Sequence, residues 1–243
     1  MSRDVRVVAR AKLTLSLRVL GLRPDGYHDL EALVVSLREP HDVVGLRIQA
    51  PFGVRIRLSG RAVLGVPVDD TNLAARAARL LLEAAADGED PGPWAASGLD
   101  ISIHKAIPAG AGLGGGSADA AGTLVGGARL LGLGFDTAAL AALGAALGSD
   151  VPFCVAGGAA RMRGRGEILE PLPAFGGWAG LSASAGSDGG GLALVVAIPP
   201  FALSTPAVYR AWDELGGPSS GRAVATPAAL AGLGLPEPLV NDL

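Results

Sequence analysis

The sequence predicts an α+β fold, because period-two strands crowd its N-terminal part, the clearest helices come after them, and no strict strand-helix-strand alternation runs through the chain. "VRVVARAKLTLSLRVLG" (5–21) reads as one or two strands. "DLEALVVSLR", "DVVGLRIQA" and "FGVRIRLSG" read as three more, each alternating apolar and polar residues. "DDTNLAARAARLLLEAAADG" (69–88) is the clearest helix, with Asp, Thr and Asn cap candidates at its start and Gly88 at its end. "LDISIHKAI" (99–107) alternates as a half-buried strand, and "SADAAGTLVGGARLLG" after it has helical spacing. "DTAALAALGAALGSD" (136–150) supplies a short helix capped by Asp136 or Thr137. "LALVVAIPPFAL" (192–203), broken by Pro199 and Pro200, reads as a buried strand. The turn-rich stretches 87–98 and 182–191 read as loops or insertions.

A chain of 243 residues holds one large domain or two modest ones around a real core. Its 49% hydrophobic content comes largely from alanine, and no uninterrupted apolar run approaches the ~20 residues that span a bilayer. "MSRDVRVVARAK" carries charges where a secretory signal has an apolar core. The single cysteine, Cys154, forms no internal disulfide and fits a reducing compartment, so cytoplasm is the expectation. A net charge of −3 argues against a nucleic-acid surface. The one basic knot, "RMRGR" (161–165), reads as a solvated strand or hairpin. Cys154, Trp94, Trp178 and Trp212 read as packing residues, and no Cys/His set has zinc-like spacing.

The chemistry concentrates in "IPAGAGLGGGSADAAGTL" (107–124), where five of six glycines lie between the strand ending at 107 and the helix that follows. Glycine clusters belong where the main chain turns sharply or something bulky comes close. The unpaired N–H groups of a helix's first turn make such a loop an anion site, and phosphate is its natural guest. A Walker A loop is excluded, since neither Lys12 nor Lys105 follows a glycine. The dinucleotide fingerprint is weak, since counted from Gly112 and Gly114 its third glycine falls on Ser117, and the segment before the loop does not start a βαβ series. A tight packing turn remains the alternative to a phosphate cradle.

Pro108 followed by "GAGLGGGSADAA" resembles the phosphate-binding motif of the GHMP kinases. Three further segments resemble the branch of that family whose acceptor is a cytidine diphosphate-linked methylerythritol: "ARAKLTLSLRVLGLRPDGYHDLEALVVSL" (9–37), "LGSDVPFCVAGGAARMRGRGE" (147–167) and "PPFALSTPAVY" (199–209). The resemblance runs from about Val5 to Leu243. It implies a ribosomal protein S5 domain 2-like, ATP-binding domain over 1–170, then the start of a ferredoxin-like second domain over 171–243. "LVNDL" (239–243) resembles a segment early in that second domain. The remainder, with a third glycine-rich loop, is absent, so the chain reads as truncated.

The resemblance also implies a site. Asp150 matches the catalytic base and Lys12 the lysine beside it. Pro108, Gly110, Gly112, Leu113, Gly114, Gly115, Gly116 and Ser117 form the ATP cradle, with Ser117 a candidate Mg²⁺ contact. Tyr27 and Tyr209 match aromatic rings that sandwich the cytosine, His28 matches the group that reads its edge, and Thr205 matches an acceptor contact. Stacking binds any base, so an edge-reading residue has to supply the selectivity. Thr14 stands where the family carries asparagine, exchanging an amide for a hydroxyl with fewer donors. Outside the resemblance, Asp150 reads as a helix or turn cap, and Tyr27–His28 as ordinary packing. Asp119 reads as a charge favourable to the helix dipole. Lys105 and His104 read as a phosphate or ribose contact or, equally, as a solvated strand end. The implied partners are ATP and one small-molecule acceptor. Two rivals stay open: another GHMP kinase of homoserine or mevalonate type, and an inactive nucleotide-binding remnant.

Overall fold

The computed structural model describes residues 4–49, 53–86, 97–172, 194–199, 204–217 and 241–243. Trp94, Trp178, the stretch 182–191 and most of 87–98 lie outside them. Strands and helices follow in the order β1 (Asp4–Leu22), β2 (His28–Gln49), β3 (Val54–Gly60), α1 (Leu73–Ala86), β4 (Gly98–Lys105), α2 (Gly115–Leu131), α3 (Thr137–Ala145), α4 (Val151–Ala156), β5 (Ala159–Gly164), β6 (Ile168–Pro171) and α5 (Thr205–Glu214). They fall into two compact units, one of residues 1–12, 37–109 and 113–156, the other of 13–36, 110–112 and 157–243. Among the described residues, no helix is long and apolar enough to cross a membrane.

In the first unit β4 is the hub. Its residues 98–104 pair antiparallel with 49–43 of β2, and β3 lies parallel along its other edge, Val54 opposite Leu99. Beyond the sheet, Ala77 and Leu81 of α1, Ala120, Ala121, Leu124 and Ala128 of α2, Leu140 of α3 and Val151 of α4 form one buried cluster. Small residues allow the helices to meet closely. A Cβ on Gly127 would come 2.7 Å from Leu81 Cδ1, and one on Gly144 would come 2.7 Å from Val151 Cγ1.

The helix ends follow the caps that the sequence offers. Asn72 accepts the N–H of Ala74 at 2.9 Å and donates its amide to Pro67 O at 2.7 Å, which fixes the start of α1. Asp136 accepts the N–H of Ala139 at 2.7 Å at the start of α3, and Gly132 closes α2 in the left-handed conformation at φ 71°. Replacing Asn72 by Ala removes both bonds of a buried cap, so it should lower the unfolding free energy by ~1–2 kcal/mol, readable by urea denaturation.

In the second unit residues 30–35 of β2 pair antiparallel with β5, and β5 turns into β6 as a hairpin. This is the basic knot of the sequence: Arg163 reaches Glu170 at 2.9 Å and Arg161 reaches Glu31 at 3.4 Å across the hairpin face. Two expectations are corrected. The two strands expected over 29–38 and 42–50 are one, β2, with Pro40 lying between the register to β5, which ends at Val35, and that to β4, which begins at Val43. The buried strand expected over 192–203 is not formed at 194–199, which carry no strand pairing and leave Val195 fully exposed. An apolar run becomes a strand only beside a partner edge, and among the described residues this one has none.

Candidate active site

The glycine loop has the backbone that its sequence requires. Gly110, Gly112 and Gly114 take φ of 71°, 72° and 68°, the left-handed region that glycine enters without penalty. Gly114 is the N-cap of α2 and offers no side chain to its first turn, and the first intrahelical bond runs from Ala118 N to Gly114 O at 2.8 Å. The N–H groups of Gly115, Gly116 and Ser117 therefore precede the helical ladder, at the end where the helix dipole is positive. Leu113 is buried and its carbonyl accepts the N–H of Lys12 at 3.0 Å, which ties the loop to β1. Pro108 is half-buried at the loop's entry.

Lys12 and Asp150 come together at the same end of α2. Lys12 Nζ lies 3.4 Å from Asp150 Oδ2, with side-chain exposures of 14% and 32%. A Cβ on Gly114 would sit 2.8 Å from Lys12 Cγ, so the loop packs directly on the lysine's stem. Asp150 precedes α4, and its carbonyl accepts the N–H of Cys154 at 3.1 Å. Burial first, then the Asp150 charge, push the Cys154 thiol up to about 12, so it stays protonated and chemically quiet.

Beneath the loop lies a group whose full extent the sequence did not reveal. Lys105 Nζ bonds Asp42 Oδ2 and Asp119 Oδ2, each at 2.5 Å, and all three side chains are at least 98% buried. Lys105 is thus neither a solvated strand end nor an open phosphate contact. Asp119 is an ion-pair partner rather than a free charge on the helix dipole. Burial drives the Asp119 carboxyl up to about 7 against the opposing pull of Lys105. His104 sits exposed, 3.2 Å from the Ser59 hydroxyl.

The second unit assembles the aromatic residues. Asp25 accepts the N–H of Tyr27 at 3.1 Å, Arg23 N donates to Tyr27 O at 2.7 Å, and Gly26 turns at φ 81°, a tight bend that presents Tyr27 and His28. The buried His28 places Nε2 2.8 Å from Asp213 Oδ1, stacks on Tyr209 with ring centres 4.8 Å apart, and meets Trp212 edge-on at 5.4 Å. Tyr209, Trp212 and Asp213 all lie on α5, where Thr205 is exposed in the first turn. Tyr27 is 58% exposed, with the Arg165 guanidinium 5.0 Å from its ring centre. Asp213 and Arg165 are additions to the sequence-based set. Thr14 lies half-buried on β1.

Among the described residues no group of three or more His, Cys, Asp or Glu could by itself hold a metal ion.

The first unit thus carries a glycine loop that opens α2, with a lysine–aspartate pair against that loop. Residues 72–158 accordingly match the GHMP kinases N terminal domain. The chain is 41% identical to the 4-diphosphocytidyl-2-C-methyl-D-erythritol kinase of Moorella thermoacetica over 97% of this chain and 75% of that protein. It is 43% identical to the kinase of the same name from Pelotomaculum thermopropionicum over 86% of this chain and 63% of that one. A crystal structure of 4-(cytidine 5'-diphospho)-2C-methyl-D-erythritol kinase matches at a TM-score of 0.52 and 40% identity, covering 69% of this chain and 55% of its own. Homoserine kinase from Cytophaga hutchinsonii, at 22% identity and a TM-score of 0.50, shares the fold over 72% of this chain and 54% of its own. The chain belongs to the 4-diphosphocytidyl-2-C-methyl-D-erythritol kinase family, enzymes that transfer phosphate to an alcohol group. It spans between 63% and 75% of those two curated relatives and about half of the solved structures.

Proposed function

We propose that the chain transfers the γ-phosphoryl group of ATP to the 2-hydroxyl of 4-diphosphocytidyl-2-C-methyl-D-erythritol, a step of non-mevalonate isoprenoid precursor synthesis in the cytoplasm. The observation that carries this reading is the Lys12–Asp150 pair packed against the glycine loop. Phosphoryl transfer asks a protein chiefly for positioning and charge neutralisation. In this reading the N–H groups of Gly114 to Ser117 take the nucleotide phosphates, and Pro108, Gly110, Gly112 and Leu113 shape the entry. Asp150 accepts the hydroxyl proton as oxygen bonds to the γ-phosphorus and the bond to the β-phosphate oxygen breaks, releasing ADP. Lys12 orients Asp150 and faces the developing charge. Mg²⁺, held by the phosphates with Ser117 as its protein contact, would neutralise charge on the transferring group. We assign residues 1–170 to the ATP-binding domain and 171–243 to the second.

His28, Tyr27 and Tyr209 take the cytosine in this reading, with Thr14 and Thr205 on the rest of the acceptor. A homoserine or mevalonate acceptor has no base to stack, so the exposed ring of Tyr27 beside the His28–Tyr209 pair supports the cytidylylated one. Removing one stacking ring costs ~1–3 kcal/mol, roughly 5- to 150-fold in affinity. Tyr209→Ala should therefore raise KM for the cytidylylated acceptor by that factor and leave KM for ATP in place. Steady-state kinetics with each substrate varied in turn checks this, and equal rises in both KM values would contradict the assignment.

A further inference from the structure

The buried ion group under the loop is arranged to fix both of its ends. Asp42 Oδ1 accepts the N–H of Ala106 at 2.6 Å and of Ile107 at 2.9 Å, where the chain leaves β4 for the loop. Its other oxygen holds Lys105, and Lys105 holds Asp119 one turn into α2, where the chain has left the loop. Lys105 Nζ also lies 3.5 Å from the point where a Cβ on Gly115 would stand, directly under the helix's first residue. Asp119 Oδ1 is buried and has no hydrogen-bond partner. Three apolar side chains would hold this place with less desolvation cost. They could not bond the two backbone N–H groups, nor fix one lateral position for α2.

We propose that Lys105, Asp42 and Asp119 form a clamp that sets the distance between the exit of β4 and the start of α2, making all three positioning residues for the nucleotide phosphates without touching them. This rests on the reading of the glycine loop as the phosphate cradle. It assigns opposite behaviour to the two lysines of the chain, with Lys12 open to the site and Lys105 sealed beneath it.

The test uses the full chain with Lys105→Met and Asp119→Asn combined. The group's formal charge is −1 with one Lys and two Asp, and Asp42 alone leaves it at −1, so no additional buried charge is created. Amide hydrogen exchange without nucleotide should be faster over residues 108–118 and unchanged in α1 and β3. Affinity for a non-hydrolysable ATP analogue should fall about tenfold or more, since misplacement by ~1 Å can cost ~10²-fold, while affinity for the cytidylylated acceptor stays the same. Mild acetylation read by mass spectrometry should modify Lys12 and leave Lys105 untouched with or without the analogue. Unchanged loop exchange would overturn the clamp, and labelling of Lys105 that the analogue suppresses would replace it by direct phosphate contact. If wild type binds no analogue, the cradle reading fails, and loop exchange still decides whether the clamp exists. Asp119→Asn alone is the milder variant should the double substitution fail to fold.

Discussion

Asp150→Asn should lower kcat by ~10²–10⁴-fold while leaving the affinity for ATP essentially unchanged, because a positioned base contributes on that scale and the amide cannot take a proton. The substitution is chosen for what it preserves. Asp150 stands directly before α4, and asparagine is as good a residue as aspartate at a helix start. Its carbonyl bond to Cys154 N belongs to the backbone and survives. If Asp150 served only as a local cap, the variant would fold and turn over normally. Measuring kcat and the unfolding midpoint together separates the two roles: a collapsed rate with an unchanged midpoint supports the base, and an unchanged rate removes it.

Gly114→Ala should cut kcat/KM by ~10²-fold or more through geometry alone. Two effects coincide at this residue. At φ 68° an L side chain costs ~1–2 kcal/mol, and the new methyl would stand 2.8 Å from Lys12 Cγ, so either the loop shifts or Lys12 leaves Asp150. Gly132→Ala isolates the first effect. It carries the same backbone penalty at φ 71°, but its Cβ would meet nothing within 4 Å. That variant should lose stability by a similar amount and keep its activity. Comparable activity losses in both would mean that strain in α2, rather than displacement of Lys12, is responsible.

What could be read in the sequence is what local chemistry dictates. The caps Asn72 and Asp136 mark their helices because each satisfies backbone groups within a few residues. The glycine loop announces a cradle because no other residue takes three left-handed positions so close together without strain. The unity of β2 could not be read, since Pro40 looks like a break unless the partners on either side of it are known. Nor could the pairing of Asp42 with Lys105, which are 63 positions apart, or of His28 with Asp213, 185 positions apart. A lysine at a strand end looks solvated until the tertiary fold closes over it. The apolar run at 194–198 misled for the converse reason, since hydrophobicity without a pairing edge does not make a strand.

The most direct measurement is product formation by the chain with ATP, Mg²⁺ and 4-diphosphocytidyl-2-C-methyl-D-erythritol, followed by phosphorus NMR with ADP quantified in parallel. The account predicts a new phosphomonoester resonance on the 2-oxygen, one ADP per product, no ADP release without acceptor, and loss of the signal in Asp150→Asn. ATP binding with no phosphomonoester formed would contradict it, leaving the glycine loop a nucleotide cradle in a chain that does not transfer phosphate.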